Sequence, residues 1–309
     1  ETEVKVVEGD ASVSSTLTVL PFDHIFFTGS PAVGKLVMKA AAENLTSVTL
    51  ELGGKSPVIV TASAKLEDAA ERITVAKYFN CGQTCIAPDY VLVDEKVAKS
   101  LVDLLKKQVT MRFTENAEPI KDSKHYTRIV SQKHWLRMNA LLEDAINKGA
   151  TLELGGEVRE EDRFFHPTIL TQVDSNCRLM EEEIFGPILP IVTYRSLQEA
   201  IQTINAKPKP LALYIFTQKE SESKDVLRAT SSGAMCINEC AVHFLNNHLP
   251  FGGVNNSGLG SAHGHFGFLA FSHVKPVMKQ RNGFTSVKPL YPPYTKMAKR
   301  LMDWLLKMF

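Results

Sequence analysis

Cys85 stands in the run Cys81-Gly82-Gln83-Thr84-Cys85, directly ahead of a second apolar stretch. A loop glycine with polar neighbours can expose a thiol and present backbone N–H groups to an oxyanion forming on a substrate carbonyl. The chemistry on offer is nucleophilic attack through sulfur. Glu51 falls between Leu50 and Leu52, just before Gly53-Gly54. Partial burial there would raise a carboxylate's pKa into the range where it can take a proton from water. A third motif is Phe27-Thr28-Gly29-Ser30-Pro31-Ala32-Val33-Gly34. A glycine turn lets backbone approach a ligand, and a helix N-terminus offers free N–H groups to an anion such as a pyrophosphate. The spacing is not GxGxxG, so the standard dinucleotide fingerprint is absent. Each motif alone also has a plainer reading: a small buried cysteine, a solvated carboxylate on a strand, an ordinary strand-to-helix turn.

The elements that must position these residues alternate strand and helix. Val4 to Val7 reads as a short strand, and His24 to Thr28 as a buried parallel strand ending at Gly29. Ser30 then offers an N-cap and Pro31 a first helical residue, with Val33, Leu36, Val37, Ala40 and Ala41 at helical spacing. Val48 to Leu52 is the next strand, which completes a βαβ unit. Helices are expected over 66–79, 95–109, 125–148 and 196–205, and strands over 89–94, 150–154, 168–173, 188–194 and 211–216. A polar loop is expected over 114–124. A further helix and strand precede a glycine-rich segment at 252–267. The alternation predicts α/β architecture. Tyr294 to Phe309 would form a last helix with Met297, Leu301, Trp304, Leu305 and Met308 on one face, packing on its own domain or touching a membrane surface.

With 309 residues, about two domains are expected. The 35 basic and 34 acidic side chains nearly cancel, so no net field draws in nucleic acid or anionic lipid. Five cysteines, an odd count without CxxC pairs, are not a disulfide framework, which points to a reducing compartment and a cytoplasmic address. No stretch is long and apolar enough to span a bilayer. His243 and His263 lack paired ligands at useful spacing, so they read as surface or packing residues and no metal is expected.

Taken together, Val48 to Pro57, then Gly82-Gln83-Thr84-Cys85, then Glu183-Ile184-Phe185-Gly186-Pro187 resemble the aldehyde dehydrogenase superfamily in order and interval. Leu249 to Val254, Ser257 to Gly260, His263-Gly264 and Ala87-Pro88-Asp89-Tyr90-Val91 resemble its class 3 branch, which handles medium- and long-chain aliphatic and aromatic aldehydes. The resemblance implies the C-terminal part of a Rossmann-like cofactor domain (1–51), an α/β catalytic domain (52–250) and an oligomerisation and C-terminal segment (251–309). It implies NAD or NADP as cofactor, an aldehyde substrate and a homodimer when complete. Cys85 would be the nucleophile, forming a thiohemiacetal and then a thioester, with its own N–H as an oxyanion donor. Glu51 would activate the hydrolytic water. Gly29, Ser30, Val33 and Gly34 would serve the dinucleotide, Leu52 and Gly53 the nicotinamide, Glu183 the nicotinamide ribose and Phe185 the ring. Phe251 would line the substrate channel.

The resemblance also implies that a preceding segment of about 150 residues, with the first cofactor-domain strands and an oxyanion-hole asparagine, belongs before Glu1. Without it, weak cofactor binding and little turnover are expected. The alternatives are a non-catalytic binding or assembly partner, or an acyl-transferring relative that passes the thioester to coenzyme A, against which Glu51 argues. Asn255 stands where the family usually has glycine, and Ala262 and Gly267 replace a tyrosine and a serine typical of class 3.

Overall fold

The strand-turn-helix expected around Gly29 is the point from which the architecture unfolds. The computed structural model describes residues 3–114 and 118–308; residues 1–2, 115–117 of the expected polar loop and Phe309 of the expected last helix lie outside the described residues. Two units are distinguished, Glu1–Phe271 and Ser272–Phe309.

In the first unit, Val4 to Val7 are exposed and form no strand, because an isolated alternating run finds no ladder to join. Helix α1 (Ala11–Thr18), not expected from the apolar pattern, is started by the Asp10 carboxylate, which accepts N–H bonds from Ser12 and Val13. β1 (His24–Gly29), α2 (Pro31–Ala42) and β2 (Ser47–Leu52) form the expected parallel βαβ unit. Ser30 caps α2 through Val33 N–H, with Pro31 at its start. β1 is only half-buried, contrary to the expected buried strand, because β2 is its single strand partner among the described residues. The α2 face that packs on β2 is narrow: Gly34, Val37 and Ala41 are buried, whereas Val33 and Leu36 are exposed.

After β2 the chain leaves this sheet. Gly53-Gly54-Lys55-Ser56 carries it into β3 (Pro57–Val60), an unbroken buried run in the middle of a second sheet. Then follow α3 (Leu66–Tyr78), β4 (Tyr90–Asp94), α4 (Ala98–Phe113) and α5 (Gln132–Asn147). The helix expected from residue 125 starts seven residues later, at Gln132, with Ser131 as its cap. Residues 125–131 instead form neither helix nor strand, bury Tyr126 and Ile129, and hold Gln83 of the nucleophile loop through Arg128 O and Val130 N–H. The remaining elements are β5 (Thr151–Leu154), a small hairpin of β6 (Val158–Arg159) and β7 (Phe164–Phe165), β8 (Thr168–Thr171), α6 (Arg178–Glu181), β9 (Ile188–Tyr194), α7 (Leu197–Asn205), β10 (Ala212–Phe216), α8 (Glu220–Ala229), β11 (Ala234–Ile237), β12 (Gly258–Leu259) and α9 (Gly264–Ala270).

The large sheet has the order β11-β10-β3-β4-β9-β8-β5, parallel except for β5 against β8. Its helices bury the main apolar core, in which Val58, Ile59, Leu92, Leu213 and Ile215 have no more than 1% exposure. The small sheet, β1-β2-β12, has a minor core of Val37, Leu50 and Leu52. β12 pairs antiparallel with β2, and in the tight turn just before β12 Asn255 adopts φ 55°, a left-handed conformation that asparagine tolerates better than most non-glycine residues. That accounts for the asparagine where glycine was expected.

The second unit contains a short 3-10 turn at Lys288–Leu290 and α10 (Lys296–Met308). Ala298 is its buried residue, while Met297, Trp304 and Met308 are exposed. Among the described residues no helix is long and apolar enough to cross a membrane.

Candidate active site

The carboxyl ends of β1 and β2 and the loop into β3 open on a cavity of about 980 Å³. Crevices at the ends of parallel strands are where open α/β sheets bind ligands. Thr28, Gly29 and Ser30 line it from β1 and the start of α2; Glu51, Leu52 and Gly53 line it from β2 and its loop. Thr84 and Cys85 come from the loop before β4, and Glu183 and Phe185 from the segment after α6. Of the residues expected in the site, these meet in one cleft. Val33 and Gly34 do not: Val33 is exposed on α2, and Gly34 lets the helix approach Leu52, whose side chain a Cβ would strike at 2.6 Å. Phe251 is also elsewhere, stacked between His243 and His263 at 5.9 and 4.7 Å between ring centroids. The two histidines are thereby packing residues.

Glu51 is 6% exposed, and neither carboxylate oxygen has a hydrogen-bond partner. Burial alone pushes its pKa up to about 7. Glu183 is likewise pushed up to about 7, first by burial and then by the charge of Asp89, while Gly54 N–H, Lys55 and Arg137 pull in the opposite direction. Its carboxylate occupies the space a Cβ on Gly53 would fill, so the glycine is what lets Glu183 lie there.

Cys85 is half-buried, and all five cysteines are free thiols, the other four of them buried. Burial, then Glu183, then Glu51 push its pKa up to about 11, against backbone N–H groups of Cys85 and Ile86 that favour the thiolate. Its loop is held in an unusual conformation: Asn80, Cys81 and Gly82 are all left-handed, with φ of 50°, 56° and 73°. Gln83 pins that loop by its amide, whose Oε1 accepts Val130 N–H (2.8 Å) and whose Nε2 donates to Arg128 O (3.1 Å) and Asn80 O (3.0 Å). Cys81 donates its S–H to Tyr126 Oη (3.2 Å) and is fully buried, a structural loop residue.

Sequence reasoning assigned no role to Lys55, Asp89, Gln83, His134 or Arg137, all of which touch the site or hold its walls. The available signal was charge just ahead of apolar stretches, as at Lys55 before Pro57–Val60 and Asp89 before the apolar residues of Tyr90–Asp94. A second cavity, about 460 Å³, reaches the Cys85 loop from its other side. Phe79, Thr84, Ile86, Val242, Phe244 and Leu245 contribute to its lining, with Glu71, Arg72 and Glu239 as charged members. Thr84 borders both cavities.

An α/β protein with a thiol and a carboxylate of raised pKa at a strand-end crevice is the class that fold and site define. The sequence model of the aldehyde dehydrogenase family matches residues 2–277, and the chain belongs to that family. It is 44% identical over 303 residues to a protein of Pseudomonas aeruginosa named as a probable coniferyl aldehyde dehydrogenase, covering 98% of this chain and 62% of that one. It is 46% identical over 289 residues to mouse aldehyde dehydrogenase family 3 member A2, covering 93% and 58%. A solved Staphylococcus aureus structure, described as the substrate-bound state of AldH, superposes with a TM-score of 0.90 at 44% identity, covering 97% of this chain and 64% of that one. The chain thus spans about three fifths of the length of the curated relatives it matches.

Proposed function

We propose that the protein carrying this chain oxidises apolar aldehydes, aliphatic or aromatic, to carboxylic acids with NAD or NADP, using Cys85 as nucleophile and Glu51 as base. The observation that carries the reading is the cleft shared by Cys85, Glu51 and the Gly29-Ser30 helix start. The fit to a nicotinamide dinucleotide rests on three features. Ala32, which lines the cleft at the start of α2, has an N–H outside the helix ladder, and with the positive end of the helix dipole it suits a pyrophosphate. Gly53 lines the cleft, and the Glu183 carboxylate packed against its α-carbon suits a ribose hydroxyl. A bound dinucleotide would supply the hydride acceptor that turns a thiohemiacetal into a thioester.

The chain's own residues do the rest. At neutral pH the Cys85 thiol holds its proton, so attack on the aldehyde carbon requires a base, and Glu51, with its pKa near 7, can accept it. The new bond joins Sγ to the carbonyl carbon, and the backbone N–H of Cys85 faces the oxygen that gains charge. Glu51 then passes that proton to solvent, and in the second half water gives a proton to Glu51 and its oxygen to the thioester carbon. The C–S bond breaks, the departing Cys85 sulfur takes the proton back from Glu51 and the acid leaves. The apolar second cavity gives the aldehyde's tail a place beside Thr84 and Ile86, and assigns to Phe79 and Phe244 the substrate contact expected of Phe251. Both reacting groups line one cleft, which favours this reading over a non-catalytic partner. In this reading residues 1–51 are the remainder of a dinucleotide domain, 52–250 a catalytic domain and 251–309 an oligomerisation and C-terminal segment. Support for the first boundary is that Leu52 ends the small sheet and the next strand enters the large one.

The test is aldehyde-dependent formation of reduced nicotinamide by the protein and its Cys85→Ala variant. Turnover by the parent and none by the variant is expected; equal rates would remove Cys85 from the reaction.

A further inference from the structure

The segment that presents Glu183 is held by side chains rather than by a ladder. Lys55 Nζ donates to Leu179 O (2.8 Å) and Glu182 O (2.9 Å). Lys207 Nζ donates to Met180 O (2.7 Å). Arg137 donates to Glu183 O and to Ile184 O, the latter at 2.9 Å, and His134 Nε2 donates to Phe185 O (2.7 Å). Phe185 is itself left-handed at φ 50°. Six of the seven carbonyls from Leu179 to Phe185 are thus held by just four side chains, Lys55, Lys207, Arg137 and His134, each a basic or imidazole group.

Lys55 does more than join this set. Its ammonium also pairs with the Asp89 carboxylate, and both side chains are buried, at 7% and 3% exposure. The other oxygen of Asp89 accepts Ile184 N–H at 2.8 Å. The pair therefore grips the Glu183 segment at Leu179, Glu182 and Ile184 together. Its two members also sit at matching places in the chain: Lys55 is on the loop that follows Glu51, and Asp89 on the loop that follows Cys85. One buried contact thus ties together the loop of the proposed base, the loop of the proposed nucleophile and the segment bearing the proposed ribose ligand.

Such a pair contributes little net stability, since desolvation offsets its attraction and apolar replacements are often neutral. Its directional hydrogen bonds, by contrast, fix geometry to within tenths of an ångström. We infer that Lys55 and Asp89 are positioning residues, a buried clamp that holds the Glu183 carboxylate against Gly53 in register with the dinucleotide, and so set cofactor affinity. This rests on the cofactor reading above and goes beyond it, because neither side chain need touch the cofactor. Lys55 acts through Glu183.

The experiment is a double-mutant cycle read by equilibrium binding of NAD and NADP, with a melting curve on each protein. Glu183→Gln, Lys55→Met and their combination are compared with the parent. Lys55→Met is expected to weaken cofactor binding about 10-fold or more, the scale of hydrogen bonds to a charged group. In the Glu183→Gln background the same change should alter binding by less than about 2-fold, since the group it positions is already blunted. Asp89→Asn, which keeps an acceptor for Ile184 N–H but loses the charge, serves if Lys55→Met does not fold and should show the same coupling. Effects that multiply in the double variant, or parent-like affinity in Lys55→Met, would overturn the clamp. A parent that binds neither dinucleotide would instead overturn the cofactor reading and the clamp with it. A parent that binds cofactor but oxidises no aldehyde would overturn the proposed reaction while the clamp is still decided by the binding cycle.

Discussion

Replacing Glu51 by glutamine separates the chemical from the structural consequences of burying a carboxylate without partners. The side chain is 6% exposed, neither oxygen is hydrogen-bonded, and burial lifts the pKa from its ordinary 4.5 to about 7. In the folded chain this carboxyl keeps its proton to higher pH than in the unfolded chain. Its contribution to stability is therefore complete below 4.5 and is lost as pH rises through 7. At about 1.4 kcal/mol for each tenfold change, the loss amounts to ~3 kcal/mol. Water entering the open cleft screens the charge and reduces it to ~1–3 kcal/mol. Glutamine cannot ionise and escapes the loss. Relative to the parent, Glu51→Gln should thus melt higher at about pH 9, by roughly 2–4 °C for each kcal/mol, and this advantage should vanish near pH 4. Steady-state aldehyde oxidation should fall by ~10²-fold or more, because no base is left for the hydrolytic water. Because Glu51 also takes the Cys85 proton in the proposed attack, the burst of reduced nicotinamide should shrink at neutral pH and return as pH approaches 11, where the thiol ionises unaided. The assay is a melting series from acid to alkaline pH beside stopped-flow and steady-state kinetics. A melting difference that does not change with pH, or unaltered steady-state turnover, would refute the reasoning.

Two further outcomes are expected. Gly53→Ala drives a methyl into the Glu183 carboxylate, the movable end of a flexible side chain. The fold should survive, with a melting point close to the parent's, while cofactor binding weakens by about 10-fold; circular dichroism and dinucleotide titration check both. With its pKa pushed up from 9.0 to about 11, Cys85 should react with iodoacetamide at neutral pH ~10²-fold more slowly than a free cysteine, because only the thiolate attacks. The rate should climb steadily as pH approaches 11, and peptide mass spectrometry of the alkylated chain reads it out.

The candidate site was legible in the sequence where chemistry and backbone geometry coincide within a few residues. Ser30 and Pro31 dictate a helix start, Gly29 permits the turn before it, and the apolar stretch ahead of Asp94 specifies a buried parallel strand. These local rules, with the spacing of Glu51, Cys85 and Glu183, carried the fold class and the family. They failed where a residue's state depends on what lies across the chain. Ser131 decides the start of α5 because residues 125–131 are engaged by Gln83 and Arg163, partners 45 and 34 residues distant in sequence. Phe251 and Gly34 carry plausible motifs, yet packing sends one between two histidines and the other against Leu52.

The sequence by itself determined the alternation of strands and helices, the candidate reacting groups and the glycines that let backbone and side chains approach. Only the tertiary structure decided that Glu51 would be buried without a partner, that Cys85 would lie within the fields of two carboxylates, and that Lys55 and Asp89 would meet. Desolvation and long-range pairing are properties of a site's whole surroundings. No window of neighbouring residues contains them.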